Sequence, residues 1–259
     1  MAKSAAERAP NAKGHGGGYF EWSRDPALGL FAVLPLWLLY EVLRLCLAPA
    51  ERNGAEVLLL QEIDQLGWRG LLILRAAFAV LVGFAAWSLV SRKVPWVRVS
   101  AVVALEGTVY GLLLGPSAAA LTSSTSRLLD CGQAGNDLAA NLVGSLGAGI
   151  FEELVFRLGL MSAIAWLGMR AVRAGSARDG SARPGAVSRW VVGGIAVVGS
   201  ALVFSWFHHL CGEPYDRTRF VFRTMAGILL GLLMWSRGFG VCVYTHALYD
   251  VHFYLTQPA

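Results

Sequence analysis

The chain has 259 residues, of which 56% are hydrophobic and only 15% are charged. A soluble domain typically carries about 45–50% apolar and about 25% charged residues, so this composition excludes an ordinary soluble fold. The net charge of +5 does not by itself indicate nucleic acid, because basic residues gather in the cytoplasmic loops of membrane proteins. We therefore predict an all-α bundle of transmembrane helices, with the lipid bilayer as a partner and without a nucleic-acid partner.

The chain divides into a polar start and a long apolar remainder. Residues 1–25 are polar and glycine-rich, which predicts a disordered tail. We assign 26–138 to N-terminal transmembrane helices and 139–256 to a second group of transmembrane helices. The segment 170–189 is rich in Gly, Ser, Ala and Arg, which predicts a flexible loop. About seven segments approach the roughly 20 residues that a bilayer crossing requires: 27–48, 70–90, 99–121, 139–169, 190–210, 219–236 and 239–256.

The distribution of basic residues predicts how these spans are oriented. With a cytoplasmic N-terminus, thirteen of the 22 Lys and Arg residues fall in cytoplasmic segments. The loops on the other side hold only five, and four lie within the spans. Because basic residues favour the cytoplasmic side, we predict a cytoplasmic N-terminus and an external C-terminus. The four within the spans are Arg44, Arg75, Arg157 and Arg223.

Charged residues also interrupt the fourth predicted span, which reads GIFEELVFRLG over 149–159. A charged side chain at a helix centre costs about 2.5–3.5 kcal/mol on insertion scales, so such residues usually pair and mark function. Glu153 and Arg157 are four residues apart and are predicted to form an ion pair on one helix face. Glu152 is turned about 100° away, which leaves it less committed to Arg157.

Two later spans carry histidines at related positions. Phe204 and His208 are four residues apart in FSWFHH, and His246 and Asp250 are four residues apart in HALYD. A carboxylate and an imidazole together can hold and deprotonate water, and general-base catalysis of this kind contributes about 10²- to 10⁴-fold. The alternative is an inert network that only packs the helices together.

The three motifs EELVFR, FSWFH and HALYD resemble, in sequence order, the EExxxR, FxxxH and HxxxN/D motifs of the CAAX-processing and bacteriocin-processing intramembrane proteases. The resemblance covers about 139–254 and extends to the type II CAAX prenyl proteases. It implies that 139–256 forms the catalytic core. It implies an intramembrane endopeptidase, a glutamate protease that cleaves near the C-terminus or membrane anchor of a substrate protein.

The same resemblance implies a role for each matching residue. Glu152 and His208 would position the nucleophilic water, while His246 and Asp250 would bind the scissile carbonyl and its oxyanion. Supporting residues would be Glu153, Arg157 and Phe204. Asp250 stands where the eukaryotic enzymes have Asn, so it is either protonated or orients His246.

Two mechanisms stay open for this set of residues. We favour one without a metal cofactor, because the chain lacks the HExxH motif of zinc proteases. The alternative is a zinc site formed by Glu152, His208, His246 and Asp250.

The predicted orientation places His208 at the external end of its span and Glu152 and Asp250 near mid-depth. This favours a membrane-anchored or C-terminally processed substrate, such as an exported protein with a sorting helix, at a bacterial inner membrane. In this topology Cys131 and Cys211 both lie outside and form a candidate disulfide.

Two other functional classes compete with the protease. A non-catalytic scaffold or immunity protein could use the same fold, and a proton-coupled transporter could use intramembrane Glu, Asp and His. Matched Gly/Pro-broken segments in two halves, which indicate an inverted-repeat transporter, are not visible in the sequence.

Overall fold

A computed structural model describes residues 18–46, 54–65, 67–122, 138–178, 185–211 and 213–256. These residues form helices, which confirms the predicted all-α class. In chain order the helices are α1 (Tyr19–Trp22), α2 (Pro26–Cys46), α3 (Gly54–Asp64), α4 (Gly67–Ser91), α5 (Trp96–Thr122), α6 (Leu138–Glu152), a π-helix (Glu153–Met161), α7 (Ser162–Arg178), α8 (Ala186–Leu210), α9 (Arg217–Arg237) and α10 (Phe239–Thr256).

A helix occupies each of the seven segments predicted to span the membrane. Within the described ranges, four of them are long and apolar enough to cross a bilayer: α2, α5, α8 and α9. The helix α10 carries two histidines and an aspartate within 18 residues, which lowers its hydropathy. The presence of membrane-spanning helices is thus supported, and the number of crossings stays a prediction.

Three features of the helices differ from the sequence prediction. The part of the expected tail that the structure describes contains α1, whose Tyr19 hydroxyl donates to Glu106 of α5. The expected loop 170–189 is helical at both ends, because α7 continues to Arg178 and α8 begins at Ala186. The helix α3 was not predicted, and its buried Glu56 pairs with Arg44 at 2.6 Å.

Local capping explains where several helices begin and end. Asp25 precedes Pro26 and accepts from the backbone N–H groups of Ala27 and Leu28, so it caps α2 while proline occupies the first helical position. Asp216 caps α9 in the same way by accepting from the N–H of Arg219 at 2.8 Å. Gly238, with a φ of 91°, ends α9 and allows α10 to start at once.

The helix α10 lies at the centre of the bundle. Its residues Val241, Cys242, Val243 and Ala247 are fully buried, and it packs against α2, α5, α6 and α9. Large apolar side chains remain exposed on the outward faces of the other helices, as expected for surfaces in contact with lipid. Polar groups on α10 therefore lie in the protein interior, where neighbouring helices can pair with them.

Candidate active site

The helix that carries the two adjacent glutamates changes its geometry between them. The α-helix α6 ends at Glu152, and the π-helix begins at Glu153 and continues to Met161. A π-helix makes i→i+5 hydrogen bonds and is frequently found at functional sites. At this junction α6 lies very close to α10, because a Cβ added to Gly149 would be 2.6 Å from the backbone nitrogen of Ala247.

Glu153 is fully buried and contacts three side chains. Its Oε1 lies 3.0 Å from Nη1 of Arg157 and 2.7 Å from Nδ1 of His246. Its Oε2 accepts from the Cys242 thiol at 2.9 Å. The predicted ion pair between Glu153 and Arg157 is thus present. Because a carboxylate only accepts, Nδ1 of His246 carries a proton and donates it in a hydrogen bond to Glu153. This hydrogen bond orients the imidazole of His246.

Arg157 is fully buried between Glu153 and an aromatic ring. Its guanidinium lies 4.2 Å from the centre of the Phe204 ring, a cation–π distance. The three guanidinium nitrogens make no hydrogen bond within the described residues, so the contact with Glu153 is ionic. A buried arginine of this kind depends strongly on its carboxylate partner.

Glu152 faces two imidazoles from two other helices. Its carboxylate oxygens lie 3.9 Å from Nε2 of His208 and 3.8 Å from Nε2 of His246. These distances exceed a direct hydrogen bond, and polar groups at such separations are commonly bridged by water. The structure therefore brings Glu152 close to His208, the two residues that the motif resemblance assigns to the nucleophilic water.

The ring of His208 is fixed by its own helix. Its Nδ1 lies 2.9 Å from the carbonyl oxygen of Phe204, one turn earlier on α8. The carbonyl can only accept, so Nδ1 carries the proton and Nε2 presents a lone pair toward Glu152. The Phe204 ring packs edge-on against His208 and His246. It thereby supports the cluster formed by Glu152, Glu153, His208, His246 and Asp250.

Asp250 approaches the nitrogen of His246 that Glu153 does not use. Its Oδ2 lies 3.6 Å from Nε2 of His246, so the partner that orients the imidazole through Nδ1 is Glu153. The side chains of Asp250 and His208 remain 23% and 20% exposed, whereas that of Glu152 is 6% exposed. The cluster is therefore accessible from the side of Asp250 and His208.

Two further contacts at the cluster were not predicted from the sequence. Cys242 on α10 donates to Glu153, and its position four residues before His246 is the only sequence signal for it. Glu213, in the connection between α8 and α9, forms an ion pair with Arg223. Burial raises the pKa of Glu213, but the hydrogen bond and charge of Arg223 outweigh this and hold the pKa below its usual value.

Within the described residues, no group of three or more His, Cys, Asp or Glu side chains is arranged to hold a metal ion. Whether Glu152, His208, His246 and Asp250 bind zinc stays a prediction. The candidate disulfide between Cys131 and Cys211 lies partly outside the described residues, because Cys131 is not among them. Cys211 is described and is exposed.

The fold and the cluster define a helical membrane protein with a carboxylate–imidazole centre inside the bundle. Residues 134–252 match the family described as type II CAAX prenyl endopeptidase, Rce1-like, which confirms the predicted family resemblance over this segment. The segment contains Glu152, His208, His246 and Asp250. No curated protein and no solved structure matches the chain.

Proposed function

We propose that the protein is an intramembrane endopeptidase that hydrolyses a peptide bond near the C-terminus or membrane anchor of a substrate protein. The observation that carries the proposal is the approach of Glu152 to the Nε2 atoms of His208 and His246, within 3.9 Å. Three helices contribute to this arrangement, and the matching family is one of endopeptidases.

In the proposed mechanism, Glu152 and His208 hold a water molecule between them. Glu152 takes a proton from the water as its oxygen attacks the scissile carbonyl carbon, and the proton then passes to the leaving amine nitrogen. The carbon–nitrogen bond breaks, and the products are a carboxylate and an amine. The Nδ1–H of His208 is already used by Phe204, which leaves Nε2 to accept from the water.

His246 and Asp250 are assigned to the carbonyl oxygen of the substrate. Because Nδ1–H of His246 is donated to Glu153, stabilisation of the oxyanion requires a doubly protonated imidazole whose Nε2–H can also donate. Asp250 can donate to an oxyanion only in its protonated form, so it is assigned as a protonated carboxyl or as a group that balances the charge of His246.

The test is cleavage of membrane-anchored reporters with C-terminal segments by purified protein in liposomes. We expect Glu152→Gln and His208→Ala to lose at least about 10²-fold in turnover, the lower range for general-base catalysis. His209→Ala is the matched control, because His209 packs against Trp206, Tyr215 and Phe220 instead of facing Glu152.

Equal cleavage by the parent protein and Glu152→Gln would contradict the mechanism and indicate a contaminating activity. Retained activity after removal of tightly bound metal would support the metal-free mechanism, whereas loss with zinc-specific rescue would favour the zinc alternative. A folded parent protein that cleaves none of a broad reporter panel would favour the non-catalytic scaffold.

We further propose that the protein lies in a bacterial inner membrane with a cytoplasmic N-terminus and acts on exported proteins. The supporting observation is that His208 lies two residues before the end of α8, so the accessible side of the cluster is near one end of the bundle. Labelling of a cysteine placed at position 178 from outside intact cells would contradict this orientation.

A further inference from the structure

Arg223 is one of the four basic residues within the predicted spans, and the mechanism above does not use it. It lies in the second turn of α9 and donates through Nη1 and Nη2 to the two carboxylate oxygens of Glu213, at 2.5 and 2.9 Å. This two-pronged geometry is the one by which arginine recognises carboxylates. Arg223 thus already holds a carboxylate, supplied by its own chain.

Two hydrogen bonds place this ion pair beside the catalytic cluster. The backbone N–H of Glu213 donates to the carbonyl oxygen of His208 at 3.4 Å. The hydroxyl of Ser205 on α8 donates to the carbonyl oxygen of Phe220 on α9 at 2.7 Å, three residues before Arg223. The helix that carries Arg223 is therefore fixed against the helix that carries His208.

The pair lies on the accessible side of the cluster. The side chains of Arg223 and Glu213 are 21% and 38% exposed, similar to His208 and Asp250, whereas Glu153 and Arg157 are fully buried. Glu213 belongs to a short connection between two helices, while Arg223 is held within a helix. The carboxylate of Glu213 can therefore be displaced more easily than the guanidinium that binds it.

A substrate cleaved near its C-terminus brings a negative charge close to Glu152, Glu153 and Asp250. The carboxylate of Glu152 would repel the terminal carboxylate of the substrate unless a cation were present that is not already paired with Glu153 or assigned to the scissile carbonyl. Arg157 cannot supply it, because its side chain is fully buried against Glu153 and Phe204. Arg223 is a partly exposed cation whose ion-pair partner, Glu213, hydrogen-bonds to the backbone of His208.

We propose that Arg223 binds the C-terminal carboxylate of the substrate and that Glu213 occupies the same position in the free protein. This assignment rests on the proposed function, because it supposes cleavage close to a free C-terminus. The interaction would give the protein a means to select peptides by the distance between the scissile bond and the terminus.

The experiment measures binding to the full chain carrying Glu152→Gln, reconstituted in nanodiscs, so that it does not depend on cleavage. The probe is a short, apolar, fluorescently labelled peptide, made with either a C-terminal carboxylate or a C-terminal carboxamide. We expect the carboxylate peptide to bind about 10- to 100-fold more tightly, as for a charged hydrogen-bonded pair. Adding Arg223→Gln should abolish the difference by weakening only the carboxylate peptide.

Two further variants sharpen the comparison. Glu213→Gln removes the competing carboxylate and should strengthen binding of the carboxylate peptide while leaving the carboxamide peptide unchanged. Arg92→Gln is the matched control, because Arg92 also forms a partly exposed ion pair, with Asp25, and should leave the preference intact. If Arg223→Gln fails to fold, Arg223→Lys keeps the charge without the two parallel hydrogen bonds of the guanidinium. It should reduce the preference for the carboxylate peptide.

Equal binding of the two peptides by the Glu152→Gln protein, or an unchanged preference after Arg223→Gln is added, would overturn the assignment. A purely structural ion pair would change thermal stability without changing this ratio. Competition by inorganic phosphate as strong as by the peptide would assign Arg223 to phosphate groups instead. An Arg223-dependent preference in a protein that cleaves no reporter with Glu152 intact would refute the proposed function and support the binding site.

Discussion

Glu152 and Glu153 are neighbours in the sequence, yet their side chains have different surroundings. Glu153 is fully buried, pairs with Arg157, accepts a hydrogen bond from the Cys242 thiol and orients His246. Glu152 faces His208 and His246 across gaps of 3.9 and 3.8 Å. The four-residue spacing predicted the partner Arg157 correctly. The contacts of Glu153 with α10 could not be predicted, because they depend on how two distant segments pack.

We expect Glu153→Gln to destabilise the protein by about 3–5 kcal/mol, because it leaves the buried charge of Arg157 without a counterion. The double variant Glu153→Gln with Arg157→Met should recover part of this loss, since no unpaired charge remains. It should not recover reporter cleavage, because a neutral amide replaces the carboxylate that orients His246.

Thermal unfolding in detergent and reporter cleavage measured on the same preparations would check both expectations. A Glu153→Gln protein as stable as the parent would show that Arg157 is compensated by groups other than Glu153. Full cleavage by the double variant would show that His246 does not require the carboxylate.

At the scale of helices, the cluster depends on the close approach of α6 and α10. Gly149 lies one turn before Glu153, and a Cβ at that position would be 2.5 Å from the Cβ of Ala247, next to His246. The glycine therefore sets how near the two glutamates come to the imidazole. The sequence shows the glycine, but it does not show which helix passes against it.

We expect Gly149→Ala to destabilise the protein by about 1–3 kcal/mol and to lower reporter cleavage, because the added methyl group forces α6 away from α10. The matched control is Gly144→Ala on the same helix, where the added Cβ meets no neighbouring group within 4 Å among the described residues. That change should be neutral or stabilise by up to about 1 kcal/mol through helix propensity.

Thermal unfolding of the two variants side by side would measure this difference. Equal effects of Gly149→Ala and Gly144→Ala would mean that the close contact with Ala247 does not determine the packing of the two helices.

Helix ends show how composition can mislead. The segment 170–189 contains glycine and serine, which favoured a loop, but its alanines and arginines are strong helix formers and α7 continues to Arg178. The helix α3 was not predicted, because its apolar stretch is too short to indicate a membrane span. Its placement depends on the burial of Glu56 beside Tyr40 and Arg44, which is a tertiary effect.

At the scale of the whole molecule, an ion pair between Asp25 and Arg92 holds the segment before α2 to the bundle. Asp25 accepts two hydrogen bonds from Arg92, which follows α4. A Cβ at Gly238, between α9 and α10, would lie 2.3 Å from the carbonyl oxygen of Ser23. The segment before α2 therefore also contacts the connection between the last two helices. The contacts connect the first helices with the segment that carries the carboxylate–imidazole cluster.

These contacts predict a pH dependence of stability. Burial raises the pKa of Asp25, but Arg92 and the N–H groups of Ala27 and Leu28 outweigh it and lower the pKa. A lowered pKa in the folded state stabilises the protein above the unfolded pKa of about 3.9 and loses this contribution as the pH falls below it. The stabilisation from Asp25 should therefore be complete at neutral pH and disappear in the acid range.

Melting temperatures of the parent protein and Asp25→Asn between neutral and acid pH would test this. Asparagine keeps the helix cap, so the variant should be less stable at neutral pH and converge with the parent as the pH falls below about 3.9. A constant difference across the whole range would show that the ionisation of Asp25 is not coupled to folding.

The sequence by itself determined the helical class, the position of the apolar helices, the ion pair within one helix and the three motifs. Each of these depends on composition or on spacing along a single helix. The tertiary structure decided which groups meet: Glu153 with His246, Glu152 with two imidazoles, and Arg223 with Glu213 beside His208. Contacts between helices depend on crossing points set by small residues such as Gly149, and the periodicity of one helix carries no information about where another helix crosses it.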